Sequence, residues 1–237
     1  MLPDVLIVVT TLAVLGAIGI GTRAGASRAG LDADAARSAW LRILLALGAM
    51  LGVAAIAAKS GVLARFEFRP PPLVVLVGSS FVLFGFMIRT DTFKRIANAM
   101  PLAWPIAIQS MRAPIELSLW ALYSAGRLPV HLTFEGRNFD VLVGLTAPLV
   151  AVGISRGWIV RRALIGWHVV SLGLLANIVF MAVTSIPGPL HRPWPGVPNT
   201  EVAAWPFVWL PSFLVPVALF GHIVSLRQIS IASKMSL

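Results

Sequence analysis

Apolar runs long enough to cross about 30 Å of hydrocarbon at about 1.5 Å per residue recur along the chain near 4–22, 40–63, 72–88, 100–124, 139–156, 163–186 and 204–226. They predict an all-α membrane protein, a seven-transmembrane-helix bundle forming one integral-membrane domain over residues 1–237. Pro101, Pro105 and Pro114 interrupt the fourth run. A proline inside a helix removes a backbone donor and favours a kink, so this helix is expected to be kinked, broken or partly re-entrant. The first run resembles a secretory signal ahead of Ala24-Gly25-Ala26, but Asp4 stands where a signal carries basic residues. It is read as a retained helix.

Charge between the runs adds an orientation, because short cytoplasmic loops retain Lys and Arg. Alternate connections hold Arg23, Arg28, Arg37 and Arg42, then Arg89, Lys94 and Arg95, then Arg156, Arg161 and Arg162, with Arg227 and Lys234 in the tail. The opposite side holds Lys59, Arg65, Arg69, Arg127, Arg137 and Arg192. The bias predicts an N-terminus outside and a C-terminus inside, and it supports seven spans, because dropping one would mix the basic clusters. No internal repeat is visible, so an inverted-repeat transporter lacks its usual pointer.

Composition agrees with that reading. The chain is 58% hydrophobic and 12% charged, with mean hydropathy +0.88, against about 25% charged residues in soluble domains. A net charge of +10 raises the question of nucleic acid, but the cations sit in small groups without a basic stripe or interleaved aromatics. They act as topology determinants, and no nucleic-acid partner is expected. The absence of cysteine excludes disulfides, Fe–S clusters and thiolate metal sites.

Candidate chemistry starts at Gln109, Arg112 and Glu116, which fall at i, i+3 and i+7 on one face of the fourth run. Arg112 and Glu116 are spaced for a direct ion pair. An ionisable group at membrane depth costs roughly 2.5 to 3.5 kcal/mol even on the lenient insertion scale, so it persists mainly where it faces a protein interior, a partner or a cavity. The segment Thr133-Phe134-Glu135-Gly136-Arg137-Asn138-Phe139-Asp140 adds three charges and an amide beside the outer end of the fifth run. Gly136 permits a turn that aims Glu135 and Arg137 inward, and Asp140 suits a helix N-terminus. Together Gln109, Arg112, Glu116, Glu135, Arg137, Asn138 and Asp140 describe an outward-facing polar chamber. Two guanidiniums and three carboxylates suit a small charged ligand held by arginine or a proton relay. Asn177 is a mid-membrane amide of the kind that hydrogen-bonds another helix.

His168 and His222 lie at similar depth near the inner ends of the last two runs and could face each other, an arrangement open to haem or metal ligation or to plain packing. The proline- and tryptophan-rich connection 187–203 is expected to cap the bundle. The chain has no lysine in its late helices for a retinal Schiff base and no H-E-x-x-H, Walker or G-x-G-x-x-G motif.

Two stretches resemble a family of small bacterial multipass membrane proteins of uncharacterised function. They are Arg112-Ala113-Pro114-Ile115-Glu116 with Thr133 to Asp140 and Gly144-Leu145-Thr146-Ala147-Pro148, and Phe207-Val208-Trp209-Leu210-Pro211 with His222-Ile223-Val224-Ser225-Leu226-Arg227-Gln228. The resemblance implies a bacterial inner membrane and carries no chemistry. The sequence thus favours a bilayer protein that binds or transports a small charged solute or protons. Its alternatives are a haem or metal redox subunit using His168 and His222, and a non-catalytic assembly subunit whose charge pair docks a partner membrane protein or a second copy.

Overall fold

The computed structural model describes residues 2–235, and the side chains of residues 2–231; the side chain of Lys234, counted above with the basic tail, lies outside the described residues. The described residues are helical with no strand. The elements are α1 (Leu2–Arg28), α2 (Ala33–Lys59), α3 (Pro72–Met87), α4 (Asp91–Ala99), α5 (Ala103–Ile108), α6 (Arg112–Ser124), α7 (Val141–Ser155), α8 (Arg161–Thr184) and α9 (Val215–Met235). A 3-10 turn at Gln109–Met111 joins α5 to α6, and a π turn at Leu210–Leu214 leads into α9.

Every predicted apolar run therefore contains helix, but the helices are unequal. Four are long and apolar enough to cross a membrane: α1, α2, α8 and Leu210–Ile231. A fifth is reached if α3 and α4, bent by 77° to one another, count as one span. At 16 and 15 residues, α3 and α7 fall short of the roughly 20 residues that span hydrocarbon unaided. The fourth run is broken as the prolines foretold. Pro114 cannot donate toward the carbonyl of Ser110, and the backbone tightens to a 3-10 turn just ahead of it. The run pattern did not show α4, whose apolar positions occur on one face only; Thr90 caps it by accepting from the Phe93 amide at 3.3 Å.

Close approach between helices relies on small residues. α1 packs on α2, α4 and α6, α7 on α5 and α6, α8 on α9, and α3 on the π turn and α9. Gly25 lets the Ile96 carbonyl of α4 sit against α1, and Gly144 lets α7 sit on the backbone of Ala113 at the start of α6. The main core, with Ile7, Val14, Leu47, Phe84, Leu122 and Phe213, lies between α1, α2, α3, α6 and α9. Outward faces carry exposed Val9, Leu12, Leu45, Ile56, Val82, Phe86 and Leu149, an apolar exterior that suits lipid rather than water.

The Gly144 contact is testable. A Cβ there meets the Ala113 nitrogen, whereas one at Gly48 on α2 meets nothing within 4 Å. Gly144→Val is expected to cost about 1–3 kcal/mol by overpacking, a loss of several degrees in a thermal melt of purified protein, and Gly48→Ala to leave the melt unchanged or slightly higher.

Candidate functional site

The first residue of α6 supplies the centre of the site. Arg112 is 2% exposed, and its guanidinium binds three elements at once. Nη1 donates to Asp140 Oδ1 at 2.6 Å and to the Ser171 carbonyl of α8 at 3.3 Å, and Nη2 donates to His222 Nε2 of α9 at 3.1 Å. Its carboxylate partner is thus Asp140, across 28 residues of chain, rather than its helical neighbour Glu116. Glu116, 1% exposed, instead accepts from Asn138 Nδ2 at 2.5 Å. Asn138 also donates to the Leu132 carbonyl at 3.1 Å, and its Oδ1 accepts the Asp140 amide at 3.1 Å. One asparagine therefore holds the Glu116 carboxylate and the Asp140 backbone amide.

The loop that delivers Asn138 and Asp140 folds tightly on the 3-10 turn Val130–Leu132, with amide bonds from Gly136 and Asn138 to the Thr133 carbonyl. Gly136 is required, because a Cβ there would strike the backbone of Val130 and His131. Ahead of it Glu135 is exposed, and from Arg137 to Asp140 the side chains alternate, Arg137 and Phe139 exposed and Asn138 and Asp140 buried, as in an extended segment. The expected chamber is corrected accordingly. Arg112, Glu116, Asn138 and Asp140 come together, whereas Glu135 turns away to accept from Trp120 Nε1 at 2.6 Å and Arg137 lies over the Trp194 ring at 5.8 Å. Gln109 points to α9, donating to the Ala218 carbonyl at 3.0 Å, and Asn177 donates to the Arg137 carbonyl at 2.9 Å. Asp140 is no side-chain cap for α7; its carboxylate is engaged by Arg112.

The two histidines belong to the same network. His168 and His222 are fully buried, and their Nδ1 atoms face each other at 2.7 Å. Because a guanidinium only donates, His222 Nε2 must accept from Arg112, which places the His222 proton on Nδ1. That proton goes to His168 Nδ1, and His168 in turn carries its own proton on Nε2. A chain of directed hydrogen bonds thus runs from Arg112 to His168 Nε2. The 2.7 Å contact is a hydrogen bond; two imidazole nitrogens on one tetrahedral ion would stand about 3.3 Å apart. Among the described residues, no group of three or more His, Cys, Asp or Glu is placed to hold a metal ion.

Beside the network lies a cavity of about 660 Å³. Its walls are almost wholly apolar, from Val77 and Phe81 of α3, Leu175 and Val179 of α8, and Leu210 and Leu214 leading into α9. Arg112, Glu116 and Asp140 form its polar end. Two further atoms of that end, Glu116 Oε2 and Arg112 Nε, are buried without a partner among the described residues. Lining residues are exposed both at the helices, with Val74 of α3 at 55% and Val183 of α8 at 41%, and in the 187–203 connection, with Leu190 at 65%.

The 187–203 connection closes one end of this cavity with Pro187 to Leu190, Asn199, Glu201 and Val202. It is tied down by Arg127, which binds Glu201 through two bonds of 3.1 and 2.7 Å, by Trp194 Nε1 donating to Thr184 at 3.0 Å, and by the Asn199 amide on the Ser185 carbonyl. His131 stacks on Trp194 and donates through Nε2 to Ser185 Oγ at 2.6 Å, whose own proton goes to the Met181 carbonyl. Burial first, and the Arg137 charge second, hold His131 below the ordinary imidazole range.

Fold and site define an all-helical protein with apolar, membrane-length helices around a buried arginine–carboxylate–histidine network. Residues 70–230 match the family described as Domain of unknown function (DUF8737), more than half of the chain, and the chain belongs to that family. The network residues and the motifs quoted above fall inside the matched stretch. No curated protein and no solved structure matches the chain.

Two outcomes are expected. Removing one member of the buried pair, by Arg112→Leu or Asp140→Leu, should cost about 3–5 kcal/mol, and the double variant should recover a large part of it, because the loss comes from an uncompensated buried charge; denaturation of all four proteins measures this cycle. Separately, His131 resists protonation only when folded, so stability falls as pH drops below 6.5, its ordinary value. His131→Gln should flatten that part of the melting-temperature profile between pH 7.5 and about 5.

Proposed function

We propose that the protein is a seven-span bacterial inner-membrane protein, N-terminus outside, whose cavity binds a predominantly apolar molecule by a small polar head. The observation that carries the reading is a buried carboxylate oxygen, Glu116 Oε2, without a partner among the described residues, on a side chain that lines a mostly apolar cavity. A buried polar atom of that kind wants a donor, and a neighbouring orphan, Arg112 Nε, wants an acceptor. A head bearing a hydroxyl, or a carbonyl beside a hydroxyl, satisfies both, while the rest of the ligand lies along leucine, valine and phenylalanine.

This reading narrows the charged-solute expectation. A freely hydrated ion gains nothing from apolar walls, and of the candidate charges only Arg112, Glu116 and Asp140 line the cavity. The exposed valines where α3 and α8 border the cavity, Val74 and Val183, suit entry from lipid rather than from water. Arg69 and Glu201 at the rim fit an outer headgroup region, in keeping with the basic-residue bias that places that end outside.

The test is organic extraction and mass spectrometry of full-length protein purified in mild detergent from its bacterial membrane. Wild type should retain a lipid-soluble molecule near one per chain. Glu116→Leu, and Val179→Trp, which fills the cavity, should each lower it about tenfold or more, the worth of one hydrogen bond to a charged group, while Leu45→Trp on the outward face of α2 should not. A protein that carries no such molecule, or that carries it equally in all variants, contradicts the reading.

A further inference from the structure

The connection between α8 and α9 is held down mainly at one point in its middle. From Gly188 to Pro198 every residue is exposed except Trp194, and the indole of Trp194 is held from three sides. His131 stacks on it with ring centroids 4.6 Å apart, its Nε1 donates to Thr184 Oγ1 at 3.0 Å, and the Arg137 guanidinium lies 5.8 Å from its ring. The Arg192 amide adds a bond to the Thr184 carbonyl at 2.8 Å. A stretch with so few buried contacts belongs to the low-stability end of a fold. Pro187 to Leu190 line the cavity, so whatever holds Trp194 also keeps that end of the cavity covered.

This hold suits only a neutral His131. The residue is 5% exposed. Its Nε2 donates to Ser185 Oγ, whose own proton goes to the Met181 carbonyl, and its Nδ1 is buried without a partner among the described residues. A second proton would enter at Nδ1, where no acceptor meets it, and a buried charge without a partner is costly. Among the described residues no carboxylate pairs with this ring. In its own connection Glu135 accepts from Trp120, Arg127 binds Glu201, Asp140 binds Arg112, and Arg137 adds like charge. α6, which packs on the Val130–Leu132 turn, carries Arg112, Glu116 and Tyr123, the first two engaged by Asp140 and Asn138. α8 packs there too, and its outer turns from Ile178 to Thr184 have no titratable side chain. The 187–203 connection adds His191 beside the Ile186 carbonyl and Arg192 over the Phe180 ring.

We propose that proton uptake by His131 releases Trp194 and lifts the 188–198 stretch from the bundle, making that stretch an acid-opened cover over one end of the cavity. Once lifted, it leaves both imidazole nitrogens to water while the helices keep their arrangement. Burial holds the covered ring below its ordinary value of 6.5, so the covered form is fully favoured above that value and is lost as pH falls below it. This goes beyond the binding reading and holds whether or not a molecule occupies the cavity.

The experiment is pulsed electron paramagnetic resonance of the full-length protein in lipid nanodiscs, which the absence of native cysteine permits. Spin labels on Ser124→Cys and Val197→Cys report the cover against α6, and labels on Ser124→Cys and Ile56→Cys report α6 against α2; all three positions are exposed. Between pH 7.5 and 5 the first pair should gain a second, broader distance population, raised about tenfold or more, where one imidazole that is neutral only when covered allows at most about thirtyfold. The second pair should stay as it is. His131→Gln should remove the response to pH, His191→Gln should keep it, and Trp194→Leu should show the broad population at both pH values. A first pair that reads the same at pH 7.5 and 5 overturns the proposal. A change shared by both pairs, or one that persists in His131→Gln, overturns it as well.

Discussion

A guanidinium with almost no contact with solvent constrains everything around it. Moving such a charge out of water costs several kcal/mol even after relaxation, and only good geometry with a carboxylate and further acceptors offsets that. Arg112 meets the demand with one partner from each of three elements: Asp140 ahead of α7, the Ser171 carbonyl of α8 and His222 of α9. The mutual arrangement of these elements follows from it. α7 must come close enough to α6 that Gly144 has no room for a side chain, and the 133–140 loop must turn sharply enough to bring Asn138 between the Glu116 carboxylate and the Asp140 amide. The histidine tautomers are set by the same group, because it can donate but never accept.

Around that centre the molecule is asymmetric. On one side an apolar cavity ends on Glu116, whose second oxygen has no protein partner. On the other, the imidazole pair ends at His168 Nε2, buried without a partner among the described residues. Arg112 stands between the two, bound to His222 on one side and lining the cavity on the other.

Much of the helical framework was legible, because long apolar runs have few alternatives to helix and the prolines of the fourth run have a definite effect on the backbone. The amphipathic α4 was not, since its nine residues carry too short an apolar face to stand out among long apolar runs. At the site, Arg112, Glu116, Asn138 and Asp140 were visible as polar residues where lipid tolerates few, and the facing of His168 and His222 followed from their similar depth. The pairing was not visible. Helical spacing suggested Glu116 for Arg112, while the loop offered a competing carboxylate whose reach depends on a turn at Gly136. The alternation from Arg137 to Asp140 was the available clue that Arg137 would face away from Asn138 and Asp140; Glu135, ahead of the glycine, had none. Nor did any local pattern join the histidines to the arginine, because 110 residues of chain separate Arg112 from His222 and only the folded bundle brings them together.

The apolar exterior, the buried charge network and the cavity make one account: lipid outside, a polar centre shielded from it, and a space between α3 and α8 where something lipid-soluble meets that centre. A high-resolution density map of the full-length protein in lipid nanodiscs tests it most directly. The account predicts Arg112 enclosed between Asp140 and His222, with elongated density entering between α3 and α8 and ending at Glu116. A map with the Arg112 side chain in bulk water, or with the α3–α8 space closed by the protein's own side chains, would contradict it.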